Sequence, residues 1–180
     1  MTVLRCSQKL LKRLRQPARP PEPAAQDNPL GEWYGDVFFN DREPFVLLLN
    51  ADTGAVLVLP GRANDLRELG KHAEYQLAML LGTAGIGTLD AVREAAAWRE
   101  PIVFARTASR SLISLMSQRK WEAWLYYEEG MAPMLIAARL WQTLFKRQGA
   151  RDHACAIDLL RARLLPSAIV VQLDPSSTRQ

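Results

Sequence analysis

Between Trp33 and Pro60 the chain carries three apolar runs, WYGDVFFN, PFVLLLN and AVLVLP, separated only by Asp41-Arg42-Glu43 and by Ala51-Asp52-Thr53-Gly54. Parallel neighbours need a crossover of a dozen or more residues, so connections this short predict an antiparallel three-strand meander. The middle run has no polar side chain between Pro44 and Asn50, which predicts a strand buried on both faces. The rest of the chain must therefore supply cover for both sides of a sheet.

Before the meander, Thr2 to Cys6 alternates in the manner of a short strand, and Ser7 is placed to cap a helix from Gln8 to Arg15. Leu10, Leu11 and Leu14 share one side of that helix. Two turns cannot stand alone in water, because nucleation costs too much at that length, so the leucines are expected to dock on the sheet. Residues 16–29 are rich in proline and read as a loop or linker.

After the meander, helical patterns run from Asn64 or Asp65 to Leu81, from Asp90 to Arg99, from Leu112 to about Glu129, from Pro133 to Lys146 and from about Asp152 to Leu165. Ile102 to Arg106 is the clearest later strand, and Ala168 to Leu173 reads as a final strand or an extended tail, with residues 174–180 as a flexible end. The expected fold is one α+β domain over residues 1–180. In it a small antiparallel sheet, built from the N-terminal strand, the meander and one later strand, packs with several helices, those of residues 131–165 forming the C-terminal part. A chain of 180 residues, 48% of them hydrophobic, can bury such a core without metal or disulfide.

Charge is segregated. Arg5, Lys9, Lys12, Arg13, Arg15 and Arg19 precede the first acid, Glu22, and the remaining 17 basic and 19 acidic residues leave a mildly acidic body within the total of +4. Attraction for nucleic acid or an anionic surface is thus expected to be local to the opening segment. A solvated helix face, phosphate contact and an organelle transit peptide all fit that segment as a sequence.

Residue types that carry chemistry are sparse. The loop R-T-A-S-R-S, Arg106 to Ser111, sets two arginines and three hydroxyls between a strand and a helix, which suits either an anion seat or simple helix capping. It lacks the glycines of a P-loop. Asp36 lies inside a strand, whereas Asp41, Glu43 and Asp52 sit where turns want polar residues, so no convergent carboxylates for metal-dependent chemistry stand out. His72, His153, Cys6 and Cys155 do not make a zinc set, and no metal or cofactor is expected. Trp98, Trp121, Trp124, Trp141, Tyr126 and Tyr127 fit stacking on bases, a core, or a dimer interface between the aromatic C-terminal helices. No apolar run reaches the length of a membrane span and no secretory signal opens the chain, so a cytoplasmic protein is expected.

The opening R-C-S-x-K-L-L, formed by Arg5, Cys6, Ser7, Lys9, Leu10 and Leu11, the Leu30-Gly31-x-Trp33 start of the meander, and Arg106-Thr107-x-x-Arg110-Ser111-Leu112 leading to Met116 resemble a family of uncharacterised bacterial proteins known as a domain of unknown function. The resemblance covers residues 1 to about 130. It lends no catalytic residues. It implies a bacterial source, which removes the transit-peptide reading and makes the first strand and helix part of the fold.

Three function classes follow. The leading expectation is a non-enzymatic accessory protein binding nucleic acid or an acidic protein through Arg5, Lys9, Lys12, Arg13 and Arg15, with help from Arg106 and Arg110. The second is a hydrolase or transferase of phosphate-bearing substrates using the Arg106 to Ser111 loop with Asp36. The third is an antitoxin-like or plasmid-associated interaction module that dimerises through its aromatic helices.

Overall fold

The computed structural model of the chain describes residues 1–23, 28–146 and 152–165. The elements run β1 (Val3–Cys6), α1 (Gln8–Arg13), β2 (Trp33–Asn40), β3 (Glu43–Asn50), β4 (Val56–Pro60), α2 (Ala63–Arg67), α3 (Leu69–Thr83), α4 (Leu89–Ala96), a 3-10 turn (Ala97–Arg99), β5 (Val103–Arg106), α5 (Arg110–Glu128), α6 (Pro133–Trp141), β6 (Leu144–Lys146), β7 (His153–Cys155) and α7 (Ala156–Leu164).

The main sheet has the order β4-β3-β2-β1-β5, and β6 pairs with β7 in a small separate hairpin. The meander is antiparallel, with Tyr34 opposite Leu49 and Leu48 opposite Leu57. The expectation of an antiparallel sheet throughout is corrected at β1, which runs parallel to β2 and to β5. Short loops dictate antiparallel pairing only where they exist. The long stretch from Ser7 to Glu32 carries the chain back across the sheet, so β2 can lie parallel beside β1.

Strand alternation and pairing register divide the side chains between two faces. Leu4, Cys6, Trp33, Gly35, Leu48, Leu57, Phe104 and Arg106 point to one face, Arg5, Tyr34, Asp36, Leu47, Phe45 and Ala105 to the other. On the first face α1 docks its leucines over Gly35, where an added Cβ would lie 2.8 Å from Leu10 Cδ2 and 3.2 Å from Leu4 and Leu48. Trp33 and Trp98 meet edge to face, their centroids 5.6 Å apart. On the second face Tyr127 of α5 packs on Phe45 at 4.7 Å between centroids. The middle strand β3 is buried on both sides from Pro44 to Asn50.

Tertiary contacts reshape the C-terminal and central helices. The helix expected from Pro133 to Lys146 ends at Trp141, whose indole N–H donates to Val56 O at 2.8 Å. Beyond it the guanidinium of buried Arg119 takes Thr143 O at 3.2 Å, and Phe145 packs against Gly54, leaving Leu144–Lys146 extended as β6. The helix expected from Asn64 or Asp65 is two helices divided at Glu68, and the break lets Gly70 abut the carbonyl of Trp98 where a Cβ would not fit. Residues 24–27, 147–151 and 166–180, which include the expected strand Ala168 to Leu173 and the tail 174–180, lie outside the described residues. Among the described residues no helix is long and apolar enough to cross a membrane.

Candidate functional site

Strands β1 and β5 are parallel neighbours, and each leads directly into a helix. Ser7 caps α1, its hydroxyl accepting from Leu10 N at 3.2 Å, and Ser109 caps α5, accepting from Leu112 N at 3.4 Å. Because Cys6 pairs with Arg106, the two helix starts leave the sheet side by side at the carboxyl ends of their strands. The crevice outside strand carboxyl ends is where open parallel sheets commonly hold ligands. The sequence-predicted basic residues gather around this edge, but not as one set.

Arg5 points to the face opposite α1 and is nearly buried. Its guanidinium reaches both oxygens of Glu32 at 2.7 Å, Glu22 at 2.6 Å and Arg106 O at 3.1 Å. The hydrogen bonds of these two carboxylates hold its pKa above the ordinary arginine value, and in turn Arg5 lowers that of Glu22. Arg5 is thus a tether that fixes Glu22 of the proline-rich loop and the approach to β2. Arg13 donates to Gly61 O at 2.7 Å and lies 5.6 Å over the ring of Phe39, tying α1 to the end of β4.

Lys9, Lys12, Arg15, Arg106 and Arg110 are different: all five are exposed and none has an acidic partner among the described residues. Elsewhere on the surface, Arg62 is paired with Glu43, Lys71 with Glu68, Arg93 with Asp90 and Arg99 with Glu74, whereas Arg42, Arg67 and Arg139 are exposed and, among the described residues, without an acidic partner. Lys9 and Lys12 lie on the outer side of α1, opposite the buried leucines. Arg15 closes the helix in the left-handed region at φ 56, with Gln16 N bonded to Leu11 O and Arg15 N to Lys12 O, a Schellman ending that glycine usually occupies. Arg106 shares the α1 face of the sheet. Arg110 opens α5 on the other.

Beneath α5, Asp36 accepts hydrogen bonds from the Ser7 hydroxyl and the Lys120 ammonium. Beside it Tyr34 is buried, and desolvation first, then the Glu32 charge, pushes its hydroxyl pKa up, opposed in part by backbone hydrogen bonds from Ala108 and Ser109. Asp36 therefore has its carboxylate occupied, and no group of three or more histidine, cysteine or acidic residues among the described residues is arranged to hold a metal ion. The loop Arg106 to Ser111 and Asp36 do come close through Ser7 and Tyr34, as an internal polar lattice joining α1, β2 and α5. Lys120, far along the chain, could not have been paired with Asp36 from sequence spacing.

The aromatic residues separate by burial. Trp98 and Trp141 are core, whereas Trp121, 59% exposed, and Trp124 face outward on α5. At about 100° per residue, Arg110, Ile113, Trp121 and Trp124 fall within about 80° of one another on that helix. One outward face thus combines an arginine, without an acidic partner among the described residues, with two indoles. A mixed cavity of about 720 Å³ between the end of α1, the start of α3 and Phe104 is rimmed by the ion pairs of Glu68 with Lys71 and Glu74 with Arg99, and is lined as well by Arg67 and by Glu100, which pairs with the N-terminal amine.

A comparison with protein families matches residues 3–159 to DUF6933, a domain of unknown function. The match continues well past residue 130, into α7. No curated protein matches the chain.

Proposed function

The chain belongs to the DUF6933 family, and we propose that it is a non-enzymatic binding protein for a polyanion, nucleic acid foremost, gripped at the edge where α1 and α5 leave the sheet. The observation that carries this reading is that Lys9, Lys12, Arg15, Arg106 and Arg110 stand exposed, without acidic partners among the described residues, around the one edge where α1 and α5 begin. Unmatched cations repel one another and release condensed counterions when they meet phosphates, so they cost stability in the free protein and gain affinity in the complex. Trp121 and Trp124, on the same side of α5 as Arg110, favour single strands, whose bases can stack on an indole. Arg5 and Arg13 support the surface from within rather than touching the ligand. The setting proposed with this activity is the bacterial cytoplasm, where Cys6 and Cys155 remain the free thiols that they are here.

The test is affinity for labelled mixed-sequence single and double strands as a function of salt. Five phosphate contacts on duplex DNA give a slope of log K against log salt of about −4.5, and about −3.5 on a single strand. Replacing Lys9, Lys12 and Arg15 together by alanine is expected to flatten the duplex slope to about −1.8. A slope that ignores the triple substitution would remove α1 from the interface.

A second reading has its own observation: exposed Ile113, Trp121 and Trp124 form an apolar strip on α5 suited to a homodimer. The two are separable. An apolar dimer gives a mass that depends on protein concentration and hardly on salt, the reverse of phosphate binding.

A further inference from the structure

The main sheet ends in two edge strands that differ. On β4 the N–H and C=O of Val58 are taken by Gln76 at 2.7 Å and 2.9 Å, and Val56 O by the Trp141 indole at 2.8 Å. On β5, Val103 N donates to Thr2 O at 3.0 Å, which turns the backbone polar groups of Val103 and Ala105 toward β1 and those of Phe104 and Arg106 outward. Arg106 O accepts from Arg5, but among the described residues no hydrogen bond reaches Phe104 N–H, Phe104 O or Arg106 N–H. An edge with unpaired backbone groups is a template for a further strand.

The surroundings of β5 select the kind of strand that fits. Phe104 and Arg106 share the α1 face, and the cavity of about 720 Å³ lies on that face beside Phe104, with Leu14, Leu66, Leu69 and Ile102 among its walls. A strand added to β5 runs about 4.8 Å away, so its residue opposite Phe104 is turned to the cavity side and the residue two places along stands opposite Arg106. The acids around the cavity are engaged, Glu68 with Lys71, Glu74 with Arg99 and Glu100 with the N-terminal amine. Arg67 in the cavity wall and Arg106 on the strand are exposed and, among the described residues, without an acidic partner. The unmatched charge along this edge is therefore positive. A second copy joined edge to edge would bring its own Arg106 to the same place, and like charges across a strand pair destabilise it.

We propose that β5 captures an extended acidic segment of a partner protein as a further strand of the main sheet, one that carries an apolar residue and, two places from it, a carboxylate. The apolar side chain enters the cavity beside Phe104, and the carboxylate meets the Arg106 guanidinium. The two backbones join at Phe104 N–H, Phe104 O and Arg106 N–H, so affinity comes from the main chain and specificity from the alternate side chains. This inference does not rest on the polyanion reading, which uses neither the backbone of β5 nor the cavity.

Fluorescence anisotropy tests it, with the full-length protein and a labelled peptide Thr-Glu-Thr-Leu-Thr-Glu-Thr, whose acids on both sides of the leucine suit either strand direction. Two N-methylated forms are measured beside it, one methylated at the leucine nitrogen and one at the two threonine nitrogens next to the leucine. Successive N–H groups of a strand face opposite ways, so one form is expected to bind about tenfold or more weakly and the other like the parent. Arg106→Glu is expected to weaken the parent peptide about tenfold and to prefer the same peptide with lysine in place of glutamate, whereas Arg139→Glu, on α6, leaves the affinity unchanged. Failure of the parent peptide to bind, or equal binding of the two methylated forms, overturns the proposal. So does protection of the Phe104 and Arg106 amides from hydrogen exchange that grows with protein concentration when no peptide is present, which gives the edge to a second copy. The methylated peptides are measured on the native protein, so the test still reports should Arg106→Glu fail to fold.

Discussion

Arg15 is held at φ 56, where a side chain other than glycine costs about 1 kcal/mol through its Cβ, at the closing turn of a helix that a glycine would end more comfortably. Strain kept at a position that also projects an unpaired cation points to a role for the cation. Arg15→Gly is therefore expected to raise stability by about 0.5–1 kcal/mol in urea unfolding, while weakening duplex binding and reducing the salt slope by about 0.9. Greater stability with unchanged affinity would leave Arg15 as a mere helix end. The two cysteines show a related contrast between exposure and burial. Burial first, and then Asp36, pushes the Cys6 thiol far up, so Cys6 stays unreactive within the core beside α1.

At the scale of elements, α1 is the clearest case of local pattern and packing agreeing. Its leucines, its serine cap and its outward lysines are all legible in the sequence, and the structure docks Leu10 and Leu11 where the two-turn argument required. What makes the docking close is Gly35, whose missing Cβ admits Leu10. Gly35→Ala is expected to destabilise the protein by about 1–3 kcal/mol through overpacking, and to weaken polyanion binding as α1 shifts. Thermal melting and the salt titration on one preparation check both effects. Other elements were less legible. The period of apolar residues from Pro133 onward is helical through Phe145, but Trp141 and Arg119 bond to β4 and to Thr143, and those contacts outweigh local propensity.

Across the whole molecule, Glu94 of α4 joins parts distant in sequence. It is fully buried and accepts hydrogen bonds from Leu30 N at 2.8 Å, from the Trp33 indole at 3.0 Å and from Asn28 Nδ2 at 3.1 Å. Desolvation raises its pKa in spite of those donors. The native state therefore binds the proton more readily than the unfolded chain does. The resulting stability is fully present below the unfolded value near 4.5 and is lost as pH rises through the raised native value. Glu94→Gln cannot titrate, so in paired denaturation series the stability difference between native protein and variant should shift toward the variant as pH rises from below 4.5 through the raised native value. Glu94→Ala leaves buried donors unpaired and is expected to cost about 3 kcal/mol. A pH-independent gap between native protein and Glu94→Gln would contradict a titrating Glu94.

The edges of the main sheet show the same dependence on distant residues. The backbone of Val58 on β4 is satisfied by Gln76 of α3, at 2.7 Å and 2.9 Å, and Val56 O by Trp141 of α6. Helical side chains thereby blunt an edge that would otherwise offer itself for pairing. Neither residue could be assigned this task from its own neighbourhood.

The amino-acid sequence by itself determined the meander, the buried middle strand, the capped basic helix and the concentration of positive charge at the start, because each depends on periodicity or turn length within a few residues. Only the tertiary structure decided that β1 runs parallel to its neighbours and that the seven predicted cations divide. Arg5 and Arg13 turn inward to acids and carbonyls, while Lys9, Lys12, Arg15, Arg106 and Arg110 have no acidic partner among the described residues. The physical reason is that periodicity is a property of adjacent residues, whereas the state of a charge depends on which partner the fold brings within a few ångströms. Glu32, Asp36, Gly61 and Lys120 are brought there by strand register and helix docking, at separations along the chain that no local pattern encodes.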